Sequence, residues 1–334
     1  MELERAKELV AGFRGKRLLV FGDVMLDRFI WGNVSRISPE APVPVVQVGK
    51  ESIYPGGAAN VARNLVPFAG EVSISGLVGD DENGGVLSGV LEEGKIRTDG
   101  VIRSPGYATI TKTRIIARQQ QVVRIDHESP AELTEGQVEE LAEFLSKRAG
   151  DLDGVILEDY GKGFLTQGTV DRLVPIAREA GLVITVDPSS GNFLEWEGVT
   201  AIKPNRLEAF QITGVPESPP TDDPMTDEAL LEVGGELLDR WGTDMLKITL
   251  GEQGMMLFER DQPPFHIDTR AQAVFDVSGA GDTAIAIFTL ALCAGASAQE
   301  AAELSNHASG VVVGKLGTAT LTPEELLESV EVRD

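Results

Sequence analysis

GVILEDYGKGFLTQGTVDRLVPIAREAGLVITVD, residues 154–187, reads as strand, helix and strand. GVILED at 154–159 and LVITVD at 182–187 are short apolar runs that end in acids, and residues 167–180 between them carry a helical pattern. Continuous apolar strands are buried on both faces, and a helix between two of them is the crossover that a parallel pair needs. The alternation continues outward in both directions. LLVFGD at 18–23 and VSISGLVG at 72–79 are further buried strands, with helices at 81–94 and 134–149. Strand VTAIK ends at Lys203, helices follow at 205–213 and 227–241, and the strands MLKITLG and GMMLFER come next. Two apolar helices, 279–294 and 298–314, precede a short C-terminal helix. This pattern predicts an α/β fold with a mainly parallel sheet covered on both faces. Ligands of such sheets bind beyond the C-terminal strand ends, where this chain places Asp23, Asp159, Asp187 and Lys203.

Two segments do not follow the alternation. FIWGNVSRI and VPVVQVG, between about 28 and 54, are broken by Pro39, Pro42 and Pro44 and read as a small antiparallel appendage. ATITKTRIIA at 108–117 and VVRID at 122–126 form a predicted hairpin. No repeat or low-complexity linker divides the 334 residues, so one domain over 1–334 with a lid at 28–54 plus 108–126 is expected.

Composition narrows the function. With 29 basic against 53 acidic residues the net charge is −24, which argues against a nucleic-acid partner. An anionic ligand must then be held by local groups, such as helix N-termini, a few cations and a divalent metal ion. The single cysteine, Cys293, fits a reducing compartment. His127, His266 and His307 are scattered without metal-ligand spacing. The charged start MELERAKELVAGF lacks a signal-peptide core, and no apolar run approaches the ~20 residues of a membrane span. A cytoplasmic protein without a membrane partner is expected.

The densest chemical signal is DVSGAGDTAIAIFTLALCAG at 276–295. Gly279, Ala280 and Gly281 open an apolar helix, where small residues let a ligand approach the unpaired first-turn amides. That makes an anion hole for a phosphoryl group in transfer. Asp282, in the first turn, can take a proton from an attacking hydroxyl, and the helix dipole favours its ionised form. The plainer alternative is a tight strand–helix turn with Asp282 only complementing the dipole.

DVSGAGDT resembles the C-terminal signature of the ribokinase-like (PfkB) sugar kinases, and PGGAANVARNL at 55–65 resembles their N-terminal Gly-Gly signature. The resemblance spans nearly the whole chain. It implies a three-layer sandwich with a mainly parallel central sheet plus a small β-rich lid, and ATP-dependent phosphorylation of a sugar hydroxyl with Mg²⁺. It further implies that Asp23, Asp27, Gly56, Gly57 and Asn60 contact the sugar. NRLE at 205–208 is similar to the family's N-x-x-E motif, which places Asn205, Arg206, Leu207 and Glu208 at the nucleotide, with Glu208 reaching Mg²⁺ through water. Asn205 and Glu208 also have capping-box spacing, and both readings hold together. TLGEQG at 249–254 resembles the nucleotide loop, with Thr249 and Gly251 near the phosphates, and Asn306 matches the region beside adenine. Read without the family, the first is a turn between strands and the second an exposed helical residue. A monovalent cation (K⁺) near Asp276 and Ser278, and a homodimer paired through the lid, are further implications of the resemblance.

SRISPEAPVPVVQV at 35–48, TKTRIIARQQQVVRID at 111–126 and DYGKG at 159–163 look like the heptose-phosphate kinase branch. There the acceptor is D-glycero-D-manno-heptose 7-phosphate and the product its 1,7-bisphosphate. Lys112 and Arg114, two apart on a strand, share one face, Arg124 can join them from the neighbouring strand, and Lys162 is a further phosphate contact. The alternative is a solvated charged hairpin. Where the branch carries a lysine this chain has Ser189, for which Lys203 is the candidate substitute. Without an H-x-G-H segment, a stand-alone kinase is expected. Two readings compete: a kinase of the same family for another sugar, sugar phosphate or nucleoside, and a catalytically silent sugar- or nucleotide-binding regulator.

Overall fold

Burial alternates along the first strand, β1 (Arg17–Gly22): Leu18 and Val20 enter one apolar core while Leu19 and Phe21 enter a second. A strand with this pattern lies inside a sheet packed on both faces. The computed structural model describes residues 1–118, 120–271, 274–315 and 317–331. Gln119, in the turn of the predicted hairpin, lies outside the described residues.

The chain begins with α1 (Leu3–Phe13) and β1, then leaves the main sheet for the long hairpin β2 (Val24–Ile37) and β3 (Pro44–Gly57). It returns through α2 (Ala58–Leu65), β4 (Glu71–Gly79), α3 (Glu82–Glu93) and β5 (Arg97–Ser104). A second excursion makes β6 (Thr111–Ala117) and β7 (Gln120–His127). Helices and strands then alternate through α4 (Glu135–Arg148), β8 (Gly154–Glu158), α5 (Gln167–Glu179), β9 (Val183–Asp187) and β10 (Ala201–Ile202). After α6 (Arg206–Thr213) and α7 (Glu228–Trp241) come β11 (Met245–Thr249), β12 (Met255–Glu259) and β13 (Phe265–Ile267). The helices α8 (Ala280–Cys293), α9 (Ala298–Val312) and α10 (Pro323–Glu331) complete the described chain.

The main sheet has the order β13-β12-β11-β10-β9-β8-β1-β4-β5, and only β12 runs against the others. Residues of α1, α2, α3, α8, α9 and α10 fill one core, and those of α4 to α7 fill the other. This is the expected three-layer α/β arrangement. The chain runs outward from β1 to β4 and β5, then restarts at β8 on β1's other side. The strand order therefore reverses beside β1, and a crevice opens where crossovers depart in opposite directions. Asp23, Glu158, Asp187 and Lys203 stand at that edge.

The second sheet has the order β3-β2-β6-β7. The appendage expected at 28–54 is longer, 24–57, because β2 begins immediately beyond β1. The predicted hairpin pairs antiparallel within itself, but β6 joins β2 in parallel. Strand VTAIK contracts to two residues. β5 and β13, the two edge strands, had no counterpart in the sequence reading. No helix among the described residues is long and apolar enough to cross a membrane.

Candidate active site

Gly279 is the N-cap of α8, with φ +80°, and no side chain caps the helix there. Glycine is suited to this position because L-residues are strained at positive φ. Ala280 and Gly281 follow in the first turn and form part of the wall of a cavity of about 420 Å³. The helix start is thus open to a cleft; no side chain caps it, but the Ala280 amide, expected to be unpaired, donates to the Val277 carbonyl at 3.2 Å.

Asp282 lies one step further into the turn and is buried. Its Oδ2 accepts a hydrogen bond from Asn60 Nδ2 at 2.6 Å, and its Oδ1 accepts one from the Tyr160 hydroxyl at 2.8 Å. Burial raises its pKa; the bonds from Asn60 and Tyr160 and the charge of Lys203 oppose the rise. The next residue, Thr283, donates to Asn64 Oδ1 at 2.9 Å, and Asn64 Nδ2 donates to the Asn60 carbonyl one turn back in α2 at 2.9 Å. These bonds tie α2 to α8. They explain why the Gly-Gly segment must end in a helix whose polar residues recur at four-residue spacing.

Lys203 projects from the end of β10 toward the same helix start. A Cβ on Gly281 would lie 3.4 Å from its Nζ, and the ammonium pairs with Asp187 Oδ2 at 2.6 Å. Burial acts to lower the Lys203 pKa, but Asp187 and Glu158 outweigh it, so the residue stays a cation. Burial lifts the Asp187 carboxyl to about 7, and Lys203 restrains it. Glu158, fully buried at the end of β8, is pushed well above the carboxylate range by burial and by Asp187 and Asp282. Burial likewise takes Asp159 up to about 7. A single ammonium, that of Lys203, thus stands among carboxyls whose pKa values burial has raised.

Asp23 is placed differently from its expected sugar contact. Its carboxylate accepts the backbone N–H groups of Tyr160 at 3.0 Å, Lys162 at 3.0 Å and Phe164 at 3.1 Å, so it holds the loop after β8. Asp27 pairs with Arg114, whose guanidinium lies 5.2 Å over the Phe29 ring. Gly56 gives Asp27 its room, since a Cβ there would stand 2.4 Å from Asp27 Oδ2. Gly57 has φ +60° and a similar close approach to the Asp23 carbonyl.

Lys112, Arg114 and Arg124 do share a face, since Asp27, Lys112 and Asp126 are lateral neighbours, as are Phe29, Arg114 and Arg124. The cluster is not bare, however. Lys112 pairs with Asp126 at 3.3 Å and Glu128 at 3.0 Å, Arg124 with Asp126 at 2.9 Å, and Lys162 with Glu128 at 2.8 Å. Ser189 packs against the loop beside Gly161, whereas Lys203 is at the helix start.

Along the cavity, Thr249, Gly251 and Gly254 line one side and Val274, Val277, Ala280, Gly281 and Asn306 line others. Its volume suits a small organic ligand. Asn306 is buried, not exposed, and donates to the Asp268 carbonyl at 2.7 Å. Asn205 and Glu208 form the reciprocal capping box of α6, and the Glu208 charge is felt at Asp187 and Lys203. Two expected nucleotide contacts need correction. Arg206 pairs with Asp227 at 2.8 Å and stacks on Phe210, which anchors the 215–227 segment, and Leu207 is half exposed.

Tyr160, Asn64 and Thr283 were not singled out from sequence. The available signal was a tyrosine beside the acid ending a buried strand, within DYGKG. Among the described residues no group of three or more His, Cys, Asp or Glu is arranged to hold a metal ion.

Comparison with known proteins agrees with this geometry. The family described as pfkB family carbohydrate kinase matches residues 16–325. The bifunctional protein HldE of Desulfatibacillum aliphaticivorans is 43% identical over 318 residues, covering 95% of this chain and 63% of that protein. HldE of Geobacter metallireducens is 40% identical over 331 residues, 99% of this chain and 66% of that protein. The chain thus spans just under two thirds of the length of these curated relatives. Among solved structures, Arabidopsis thaliana ribokinase complexed with ribose and ATP superposes with a TM-score of 0.71 at 17% identity, covering 95% of this chain and 99% of that one.

Proposed function

Because the chain belongs to the pfkB family of carbohydrate kinases, we propose that it transfers the γ-phosphoryl group of ATP to a sugar hydroxyl, with Asp282 as base. The acceptor we assign is D-glycero-D-manno-heptose 7-phosphate, phosphorylated at O1 to the 1,7-bisphosphate that leads toward ADP-heptose. One observation carries the reaction type. The open start of α8 is shared by the 420 Å³ cavity, the Asp282 carboxylate and the Lys203 ammonium.

The nucleotide occupies the cavity along Thr249, Gly251 and Asn306, with its terminal phosphate toward Gly279, Ala280 and Gly281. The acceptor hydroxyl gives its proton to Asp282 as its oxygen bonds to the γ-phosphorus; the bond from that phosphorus to the ADP oxygen breaks, and ADP departs. Such transfers depend on positioning and charge stabilisation. Lys203 and the first-turn amides of α8 meet the charge on the transferring group. A divalent cation on the nucleotide phosphates would neutralise part of their charge. The chain's oxygen donors fit a hydrated Mg²⁺ of this kind, with Glu208, whose second oxygen is not used by the helix cap, reaching it through water. Asp276 accepts from the Ser278 and Gly317 amides, so a potassium ion there would rely on the loop's carbonyls.

Asp27, Asn60 and the Gly56–Gly57 turn lie on the acceptor side, and Lys112, Arg114, Arg124 and Lys162 are the phosphate-binding candidates. The second sheet acts as a lid that keeps water from competing as acceptor. Exposed Val48, Val123 and Ile125, on the face of that sheet opposite Arg114 and Arg124, support pairing with a second copy of the chain. A reaction fed by ATP, and one free cysteine, fit the cytoplasm. The carboxylate partners of the cations favour a second reading, a kinase of this family for an uncharged sugar.

A panel of sugars and sugar phosphates scored by ADP release separates the two. Activity confined to unphosphorylated sugars ends the heptose-phosphate assignment. Asp282→Asn is expected to lower kcat by ~10²–10⁴. Phosphorylation at the parent rate by that variant would exclude Asp282 as base, whereas a parent protein that binds its ligands but releases no ADP with any acceptor would restore the silent-regulator reading.

A further inference from the structure

The loop after β8 reaches both ends of the reaction. Asp23 binds three of its amides, those of Tyr160, Lys162 and Phe164, and so fixes its path at the crevice. From this fixed backbone the Tyr160 hydroxyl donates to Asp282 Oδ1 at 2.8 Å. Two residues on, Lys162 Nζ extends to Glu128 at 2.8 Å, beside Lys112.

We propose that Tyr160 is a positioning residue for phosphoryl transfer: its hydroxyl keeps Asp282 ionised and aimed at the acceptor, and the Asp23-tied loop links that bond to Lys162 at the acceptor's far end. The inference rests on the assignment of Asp282 as base. Nothing in the Gly-Ala-Gly turn itself selects a rotamer for the aspartate. With Asn60 on one oxygen and Tyr160 on the other, the carboxylate plane is fixed. Each oxygen keeps a second lone pair, and the acceptor proton goes to one of these while Tyr160 retains its own proton.

The charges around Asp282 show why such a donor is needed. Asp27 from β2, Glu158 from the end of β8 and Asp187 from the end of β9 all favour the protonated form. Lys203, beyond β10, Asn60 from α2 and Tyr160 oppose them. Removing the phenolic donor from this balance makes Asp282 harder to ionise. A base with a raised pKa loses activity as pH falls through that value, so the acid limb of kcat/KM moves to higher pH.

Tyr160→Phe tests this directly. The acid limb should move up by about one pH unit, which is about a tenfold loss of kcat/KM on that limb. The loss should shrink on the alkaline side, and the KM for ATP should hold. A tyrosine that merely fills space would lower kcat/KM evenly at every pH. If Asp282→Asn is inactive and the Tyr160→Phe profile superposes on the parent's, the proposal fails while the base assignment stands. If Asp282→Asn is fully active, the base assignment itself fails. Should Tyr160→Phe not fold, fluorotyrosine can replace the three tyrosines of the otherwise unaltered chain. Fluorine NMR, with Tyr54→Phe and Tyr107→Phe for assignment, then reads Tyr160 directly. Its resonance should titrate with the midpoint of the acid limb, and a resonance unmoved across that limb would overturn the proposal.

Discussion

Adding one methyl group at either glycine of the α8 start should separate folding from catalysis. Gly281 sits within the first turn, at ordinary helical φ, and a Cβ there meets only Lys203 Nζ, at 3.4 Å. Alanine is the better helix former by ~0.5–1 kcal/mol, so Gly281→Ala should unfold in urea at the parent's midpoint or slightly above it. The methyl nevertheless stands between the first-turn amides and the ammonium, where the transferring phosphoryl group must fit. Displacing that group from one well-aimed donor costs ~10²–10³ in kcat. Gly279→Ala behaves differently. Its φ of +80° strains an L-residue, and its Cβ would stand 2.9 Å from Asn60 Nδ2, the donor to Asp282. The left-handed conformation costs ~1–2 kcal/mol and the charge-assisted bond is worth ~1.5–3, so a loss of about 2.5–5 kcal/mol of stability is expected. Urea unfolding and ADP release, measured on both variants, give the comparison. Gly281→Ala with parental kcat would refute the placement of the phosphoryl group between helix start and Lys203.

Two further outcomes follow from buried charge and a third from the cations of the second sheet. Asp159→Asn removes a carboxyl whose folded pKa, about 7, lies above its ordinary 3.8; since the parent loses stability as pH rises through that interval, the variant should gain on it by up to about 4 kcal/mol between the two values. A difference in stability that is flat with pH would count against this. Lys247, buried between β11, α8 and α9, donates to Ser305 at 2.5 Å, and burial depresses its pKa well below 10.5. Burial favours the neutral amine, so the parent should gain stability as pH rises toward 10.5 while Lys247→Met does not, and urea unfolding across pH would show the difference between them shifting in the parent's favour. Lys112→Ala should raise the KM for a phosphorylated acceptor ~10–100-fold, the worth of one charge-assisted bond, and leave the KM for ATP unchanged. Equal effects on phosphorylated and unphosphorylated sugars would remove Lys112 from the phosphate site.

The fold was legible where burial was complete. β1, β8 and β9 are apolar on both faces, which only an interior parallel strand needs, and their ends fall within one residue of those read from sequence. β5 was missed because RTDGVIRS is an edge strand with exposed charges, and β13 because three residues carry no period. Gly279, Gly281 and Asp282 were readable because they lie together in the chain, and the tight helix start restricts side-chain size at the two glycines.

Sequence by itself therefore determined the layers, the helix that carries Asp282 and the family to which the chain belongs, since each is written in consecutive residues. Tertiary structure alone decided what each polar group touches. An aspartate at a strand end looks the same whether it awaits a sugar or, like Asp23, is filled by three amides of a loop more than 130 residues away. Partners for Lys112, Arg114 and Lys162 likewise depend on how β6 registers against β2 and β7. Hydrogen bonds and ion pairs act over a few ångströms in space, and separation along the chain does not predict which groups come that close.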